Sequence, residues 1–115
     1  VRKMLGGAMR QAGILAAAAL FALKNNRVRL SEDHENAREL AENLAEISGA
    51  SVAAPVETNI LMLNTSGAAH EFAKKAQESG VLLNVVGPHQ VRLVTHRDVS
   101  REDCRQAGSR LRKLG

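Results

Sequence analysis

A run of alanine and leucine near the start of the chain is the feature that most constrains its fold. Residues 12–23 read Ala-Gly-Ile-Leu-Ala-Ala-Ala-Ala-Leu-Phe-Ala-Leu, and alanine and leucine are among the strongest helix formers. The pattern predicts a helix from Met9 to about Lys24. Because apolar residues occupy nearly every side of this helix, we expect it to be buried. The run is too short to cross a bilayer, which takes about 20 apolar residues, so we expect no membrane contact.

The rest of the chain alternates between helical and strand patterns. Gly49 and Gly80 are expected helix stops, and Gly87-Pro88 is a turn signal that predicts a hairpin between the last two strands. The predicted elements are, in order, helices over 9–24 and 32–48, a strand over 59–63, a helix over 68–79, strands over 81–86 and 91–95, and a final helix that follows residue 100. This order, helix-helix-strand-helix-strand-strand-helix, indicates an α/β (α+β) fold in which helices pack on a small sheet.

Two serines are predicted to begin helices. Ser31 precedes Glu32 and Asp33, whose negative charges suit the positive end of a helix dipole. Ser100 is followed three residues later by Asp103. This spacing is that of a capping box with Asp in place of the usual Glu. We therefore expect both hydroxyls to serve as N-caps.

Composition argues against nucleic acid as a partner. The chain carries a net charge of +4 with a pI near 9.8, which favours weak attraction to anions. Its aromatic share is only 2%, from Phe21 and Phe72. Binding of single strands relies on aromatic side chains on which bases stack, so we predict no nucleic-acid binding.

Cysteine and histidine usage gives no sign of a metal site. Cys104 is the single cysteine, so it cannot form an internal disulfide, and it fits a reducing compartment. It lies on an apolar helical stripe and is predicted to be a buried packing residue. No pair among the four histidines has the i, i+4 helical spacing of a metal site. We predict a cytoplasmic location, or a mitochondrial one if the source is eukaryotic.

Arg92 is the strongest binding candidate in the body of the chain. Residues 91–96 alternate in strand fashion, with Arg92 and Val94 on one side and Leu93 and Thr95 on the other. A guanidinium binds a carboxylate through two parallel hydrogen bonds, which suits an amino-acid substrate. Two alternatives stay open from the residues alone. Arg92 could point to water at a sheet edge, or pair with an internal Glu.

Lys3 and Arg10 form a second candidate group. They flank Gly6-Gly7 just before the alanine-rich helix. Helix N-termini attract anions because their free N–H groups and the helix dipole point the same way. Two cations at this place suit a phosphate or a carboxylate. The alternative is that both are solvated surface charges.

Two segments resemble a known enzyme family. Residues 2–14 read Arg-Lys-Met-Leu-Gly-Gly-Ala-Met-Arg-Gln-Ala-Gly-Ile, and residues 92–100 read Arg-Leu-Val-Thr-His-Arg-Asp-Val-Ser. Both are similar to signatures of the low-specificity L-threonine aldolases, which are pyridoxal-phosphate (PLP) enzymes of the aspartate-aminotransferase fold, fold type I. Residues 29–38 resemble the family's entry into its small domain. One position departs from the first signature, because Ala8 stands where the family has a third glycine.

The resemblance implies a place for this chain in a larger enzyme. Residues 1–26 would link from a missing N-terminal large domain, and residues 27–115 would be the small C-terminal domain. Arg92 would hold the substrate carboxylate, and Lys3 and Arg10 would be cations near the PLP site. The parent would cleave L-threonine or L-allo-threonine to glycine and acetaldehyde, as a dimer or tetramer of identical chains.

By comparison with this family, the sequence lacks the lysine that would bind PLP. The family's Schiff-base lysine lies in a Ser-Lys-Gly context, which this sequence does not contain. We therefore expect no catalytic residue in the chain, no covalently bound PLP, and no activity alone. Whether the chain counts as an enzyme stays open. The alternative function is a non-catalytic stand-alone module that binds a partner or oligomerises through the alanine-rich helix.

Overall fold

A computed structural model of the chain describes residue 1 and residues 3–114. Arg2, which opens the N-terminal signature, and Gly115, which closes the expected small domain, lie outside the described residues. The elements are helices α1 (Ala12–Asn25), α2 (Leu30–Asn43), α3 (Ala69–Glu78) and α4 (Arg101–Arg112), strands β1 (Ala50–Val52), β2 (Ile60–Thr65), β3 (Asn84–Gly87) and β4 (Gln90–Val94), and a short 3-10 helix at Arg27–Arg29. The predicted mixed fold with a small sheet is confirmed.

The four strands form one antiparallel sheet in the order β1-β2-β4-β3. The predicted hairpin between the last two strands is present as β3–β4. β1 was not predicted, because three residues, Ala-Ser-Val, are too few to show an alternating pattern. β1 pairs with the far end of β2 and completes one edge of the sheet.

The core lies between one face of the sheet and the helices. Alternate residues of β2 and β4 point into it, and α2 and α4 contribute one stripe each. Gly108 of α4 lies so close to α2 that an added Cβ would be 3.3 Å from the Cβ of Asn43. The absence of a side chain there lets the two helices approach. The largest fully buried side chains are Leu44, Leu61, Leu63, Leu111 and Val91.

The expectation that the alanine-rich helix is buried was wrong for this chain. No residue of α1 is buried, and Phe21 is 60% exposed. The helix also begins at Ala12 and not at Met9, because Gln11 has a left-handed backbone with φ of 50°. Alanine and leucine form the helix through their own propensity, but within the described residues no second layer covers it. No described helix is long and apolar enough to span a membrane.

Of the two predicted serine N-caps, the structure confirms one and contradicts the other. Ser100 is confirmed, since its hydroxyl accepts from the Asp103 N–H at 3.1 Å and its own N–H donates to the Asp103 carboxylate at 2.9 Å. The Ser31 cap was wrong, because α2 begins at Leu30, two residues before the predicted start at residue 32, and no side chain caps it. The Ser31 hydroxyl instead donates to the carbonyl of Val28 at 3.3 Å.

A glycine with positive φ follows both predicted helix ends, but the apolar pattern predicted a longer second helix than the structure has. α2 ends at Asn43, five residues before the predicted Ser48, and turns carry the chain on to Gly49. Gly49 and Gly80 have φ of 75° and 83°, the left-handed region that favours glycine. Gly80 therefore ends α3 as predicted, whereas the prediction that Gly49 ends the second helix was wrong, because α2 already stops at Asn43.

Candidate functional site

The sheet has a second face that the helices do not cover. Side chains at every other position of β2 and β4 point to this open face, and Ile60 and Val94 there are 41% and 39% exposed. Arg92 lies at its centre, because β4 is an inner strand between β2 and β3. Its direct partners are Met62 on β2 and Asn84 on β3. The predicted alternation is confirmed, since Leu93 faces the core while Arg92 faces outward.

Arg92 has an unsatisfied donor. Its Nε is buried, and no hydrogen-bond partner for it is found among the described residues. A buried polar group without a partner costs about 1–3 kcal/mol. The described part of the chain also contains no ion pair to Arg92. Neither alternative for Arg92 agrees with this geometry, because the residue is neither at a sheet edge nor paired with a Glu.

The surroundings of Arg92 suit a carboxylate with an apolar neighbour. Met62 and Val94 flank it with apolar surface, which lowers the local dielectric and strengthens a charge pair. Polar groups continue along the same face, where the Gln90 amide donates to the Asn64 side-chain oxygen at 3.1 Å. The open face can therefore bind one carboxylate group through the guanidinium.

The end of β4 beyond Arg92 is anchored by hydrogen bonds. The Thr95 hydroxyl donates to the Asp33 carbonyl at 2.6 Å, and the Asn59 amide donates to the Thr95 carbonyl at 2.7 Å. Thr95 is 3% exposed. These bonds join the residue before β2 and the residue after β4 to the start of α2, so Thr95 and Asn59 have structural roles.

Lys3 and Arg10 do not come together with Arg92 within this chain. Both are exposed in the segment before α1. α1 is 14 residues long, or about 21 Å at 1.5 Å per residue, and none of its residues is buried against the sheet. Any site that uses all three cations must bring the N-terminal segment back to the sheet, or take it from another chain.

The departure at Ala8 causes no backbone strain. Positive φ angles in the described residues occur at Gln11 and at glycines 6, 49 and 80. Ala8 is not among them, so its methyl group meets no forbidden conformation.

Other reactive side chains have structural settings. Cys104 is 3% exposed, and burial raises the pKa of its thiol, so it stays protonated at neutral pH. His96 accepts a hydrogen bond from the Asp98 N–H at 3.3 Å. Among the residues that the structure describes, no group of three His, Cys, Asp or Glu side chains is placed to hold a metal ion.

The described residues contain no buried lysine to which PLP could be joined. A Schiff-base lysine must be held inside a pocket beside the cofactor, and every lysine in the described residues is exposed. The residues of this chain therefore fit only as groups that would contact a cofactor or substrate held by another part of the protein. The lysines in question are Lys3, Lys24, Lys74, Lys75 and Lys113.

Solved structures with the same architecture are PLP enzymes of fold type I. A putative L-allo-threonine aldolase from Listeria monocytogenes superposes with a TM-score of 0.69 at 20% identity, over 97% of this chain and 35% of that one. C-DES, solved with glycine covalently linked to its PLP cofactor, also gives 0.69, at 16% identity over 90% and 29%. The fold is thus that of a portion of a fold-type-I PLP enzyme.

Sequence comparison narrows this class to a family. The profile of the beta-eliminating lyases matches residues 1–68, and the chain belongs to that family. The low-specificity L-threonine aldolase of Escherichia coli strain K12 is 47% identical over 115 aligned residues, which cover 96% of this chain and 32% of the relative. Low-specificity L-threonine aldolase 1 of Arabidopsis thaliana is 40% identical, over 90% and 30%. The chain spans about a third of the length of these relatives.

Proposed function

We propose that this chain is the C-terminal portion of a threonine-aldolase-like lyase and that Arg92 binds the substrate carboxylate. The observation that carries the proposal is the buried Nε of Arg92, which has no partner among the described residues and lies on an uncovered sheet face. A carboxylate that reaches this face from outside the chain would pair with the guanidinium group. The names of the relatives at 40–47% identity supply the substrate class, L-threonine.

The proposed division of labour follows from which groups the chain possesses. PLP, when bound, withdraws electrons from the bond that is cleaved, and its lysine belongs to the large domain. Arg92 orients the amino acid by gripping its carboxylate in two parallel hydrogen bonds. Lys3 and Arg10 add positive charge near the site from the segment before α1. The chain alone is then inactive, because it lacks the cofactor lysine.

The proposal extends to domains and assembly. Residues 1–26 form the connection from a large domain, whose surface covers the apolar sides of α1. Residues 27–115 form the small domain. We propose a dimer or tetramer of the parent in the cytoplasm, or in mitochondria of a eukaryotic source, in which Lys3 and Arg10 approach a neighbouring subunit's site.

A chimaera tests the proposed function directly. This chain would replace the matching third of the E. coli threonine aldolase, and cleavage of L-threonine would be measured as acetaldehyde released. We expect an active chimaera. Arg92→Ala should lower kcat/KM about 100-fold, because loss of one partner of a buried charge pair costs about 2–5 kcal/mol. Arg92→Lys should recover only part of the loss, since lysine lacks the bidentate geometry.

The control is Arg112→Ala, an exposed arginine at the end of α4. It should leave kcat/KM unchanged. An inactive chimaera that is folded and loaded with PLP would contradict the proposal, as would an Arg92→Ala variant with the activity of its parent.

A second candidate function is favoured by the exposure of α1. A fully exposed helix with apolar side chains on every side is a surface that binds other proteins. Under this alternative the chain is a stand-alone module without catalysis. The intact mass of the protein from its native source decides between them. A mass near 12.4 kDa supports the module, and a mass about three times larger supports the lyase.

A further inference from the structure

A β-bulge in the last hairpin decides which residue lies opposite Arg92. Val85 pairs with Val91, and Gly87 pairs with Gln90, so Val86 is an extra residue on β3. One extra residue shifts the register of everything beyond it and exchanges the two faces of the strand. If the register at Gly87 continued without the bulge, Val85 would lie opposite Arg92. With the bulge, Asn84 takes that place.

The bulge therefore places an amide beside the unsatisfied guanidinium. Asn84 is exposed, whereas Val85 packs against the core. Directly opposite residues in an antiparallel pair have Cβ atoms about 4.5–5.5 Å apart, which is within reach of an Asn side chain and an Arg side chain. Asn is disfavoured in strands, so local propensity does not explain its presence on β3.

Both side chains are available for a further partner. The Arg92 Nε makes no hydrogen bond among the residues that the structure describes, and Asn84, directly opposite, is exposed. On the other side of Arg92 lies Met62, which has no strong donor or acceptor. Asn84 is thus the polar group directly paired across the sheet with Arg92.

We propose that Asn84 is a positioning residue for Arg92 and a second ligand of the same carboxylate. Its Oδ1 accepts a hydrogen bond from the guanidinium, which fixes the orientation of that planar group. Its Nδ2 then donates to the carboxylate that Arg92 binds. The inference rests on the proposed function, because the carboxylate is that of the amino-acid substrate.

The first test removes the amide. In the active chimaera, Asn84→Ala should raise KM for L-threonine about tenfold, because one hydrogen bond to a charged group is lost, and kcat should change less than twofold. The equilibrium Kd for glycine, followed by the cofactor's absorption, should rise by the same factor. The glycine titration involves no bond cleavage, so it reports binding alone.

The second test changes the charge and keeps the shape. Asn84→Asp places a carboxylate opposite Arg92, where it competes with the substrate for the guanidinium. We expect a larger rise in KM and in the glycine Kd than Asn84→Ala gives, about 100-fold. A purely structural role predicts the reverse order, because Asp is nearly isosteric with Asn. Urea unfolding of each variant checks that the fold is kept.

Ser51→Asp is the matched charge control. Ser51 is exposed and pairs with Asn64 on β2, so it lies two strands from Arg92, about 10 Å at the usual strand spacing. The Ser51→Asp variant should keep KM for L-threonine within twofold of the value for the parent chimaera, because a charge at that distance is largely screened at physiological salt.

Two results would overturn the inference. One is Asn84→Ala with KM and glycine Kd within twofold of the parent chimaera, and the other is Asn84→Asp milder than Asn84→Ala. Failure of the proposed function looks different. In that case Arg92→Ala itself leaves activity unchanged, or the loaded parent chimaera does not cleave threonine.

Discussion

α1 and α4 are helices of similar length with opposite relations between composition and burial. α1 is apolar on nearly every side, yet none of its residues is buried. α4 is rich in arginine and acidic residues, yet it buries Cys104, Gly108 and Leu111. Burial in this chain follows the one-sided spacing of apolar residues and not their number, because one stripe is enough to pack on a sheet.

The contrast also separates two sources of helix stability. α4 is held by tertiary packing, by its capping box and by the salt bridges of Arg101 and Arg105 to Glu39 of α2. α1 has no side-chain cap and no buried residue, so its helicity depends on intrinsic propensity. An isolated helix of this length is marginal in water. We infer that α1 gains its full stability only when another surface covers it.

The largest difference should appear on deleting apolar side chains. Leu44→Ala removes a fully buried side chain at the end of α2 and should lower the free energy of unfolding by about 2–5 kcal/mol. Leu23→Ala makes the same change on α1, where the residue is 64% exposed, and should cost less than about 0.5 kcal/mol. Urea denaturation measures both. Equal losses would mean that α1 is packed in solution.

A smaller difference is expected between the two serines. Ser100→Ala removes the N-cap of α4 and should cost about 1 kcal/mol. Ser31→Ala removes a hydroxyl that caps nothing and should cost under about 0.5 kcal/mol. Thermal unfolding of the two variants compares them. A larger loss at Ser31 than at Ser100 would contradict the helix start at Leu30.

The ion pairs between α2 and α4 should make stability depend on pH. Hydrogen bonds from Arg105 and then from Arg101 hold the pKa of Glu39 below its ordinary value of 4.5. A lowered pKa in the folded state stabilises the protein above pH 4.5, and the stabilisation is lost as the pH falls through the folded pKa. Glu39→Gln should therefore lower the urea midpoint at pH 7. The difference in midpoint between this variant and the unsubstituted chain should become smaller at low pH.

Glu42→Gln is the control for this pH effect. Glu42 is exposed on the same helix, and no ion pair to it occurs in the described part of the chain. Its substitution should change the midpoint little at either pH. A Glu39→Gln deficit that is the same at pH 7 and at low pH would show that charge is not its cause.

The smallest effect on stability is expected from the largest deletion. Removing residues 1–25 takes away α1, and no described residue in that range is buried. It keeps the hydrogen bond from Arg97 to Asn26. The urea midpoint should stay close to that of the whole chain, while self-association seen by light scattering should fall. A shorter chain that does not fold would make α1 part of the small domain.

Much of the candidate site was predictable from sequence, but its immediate neighbours were not. Alternation along residues 91–96 placed Arg92 opposite in direction to Leu93, and the structure agrees. Met62 and Asn84 were missed because they are distant in sequence and meet Arg92 only through strand pairing. A bulge has no sequence signature apart from its turn, so the register that selects Asn84 was not readable from the residues.

The sequence by itself determined the types of the longer elements, the hairpin, the capping box of Ser100 and the placement of Arg92 and Leu93 on opposite faces of their strand. These features depend on local periodicity and on side chains a few residues apart. Tertiary structure alone decided the strand order, the three-residue β1, the exposure of α1 and the partners of Arg92. These features depend on contacts between segments that are distant in sequence. The extra residue in β3 changes which side chain lies opposite Arg92, and α1 is exposed because no described segment packs against it.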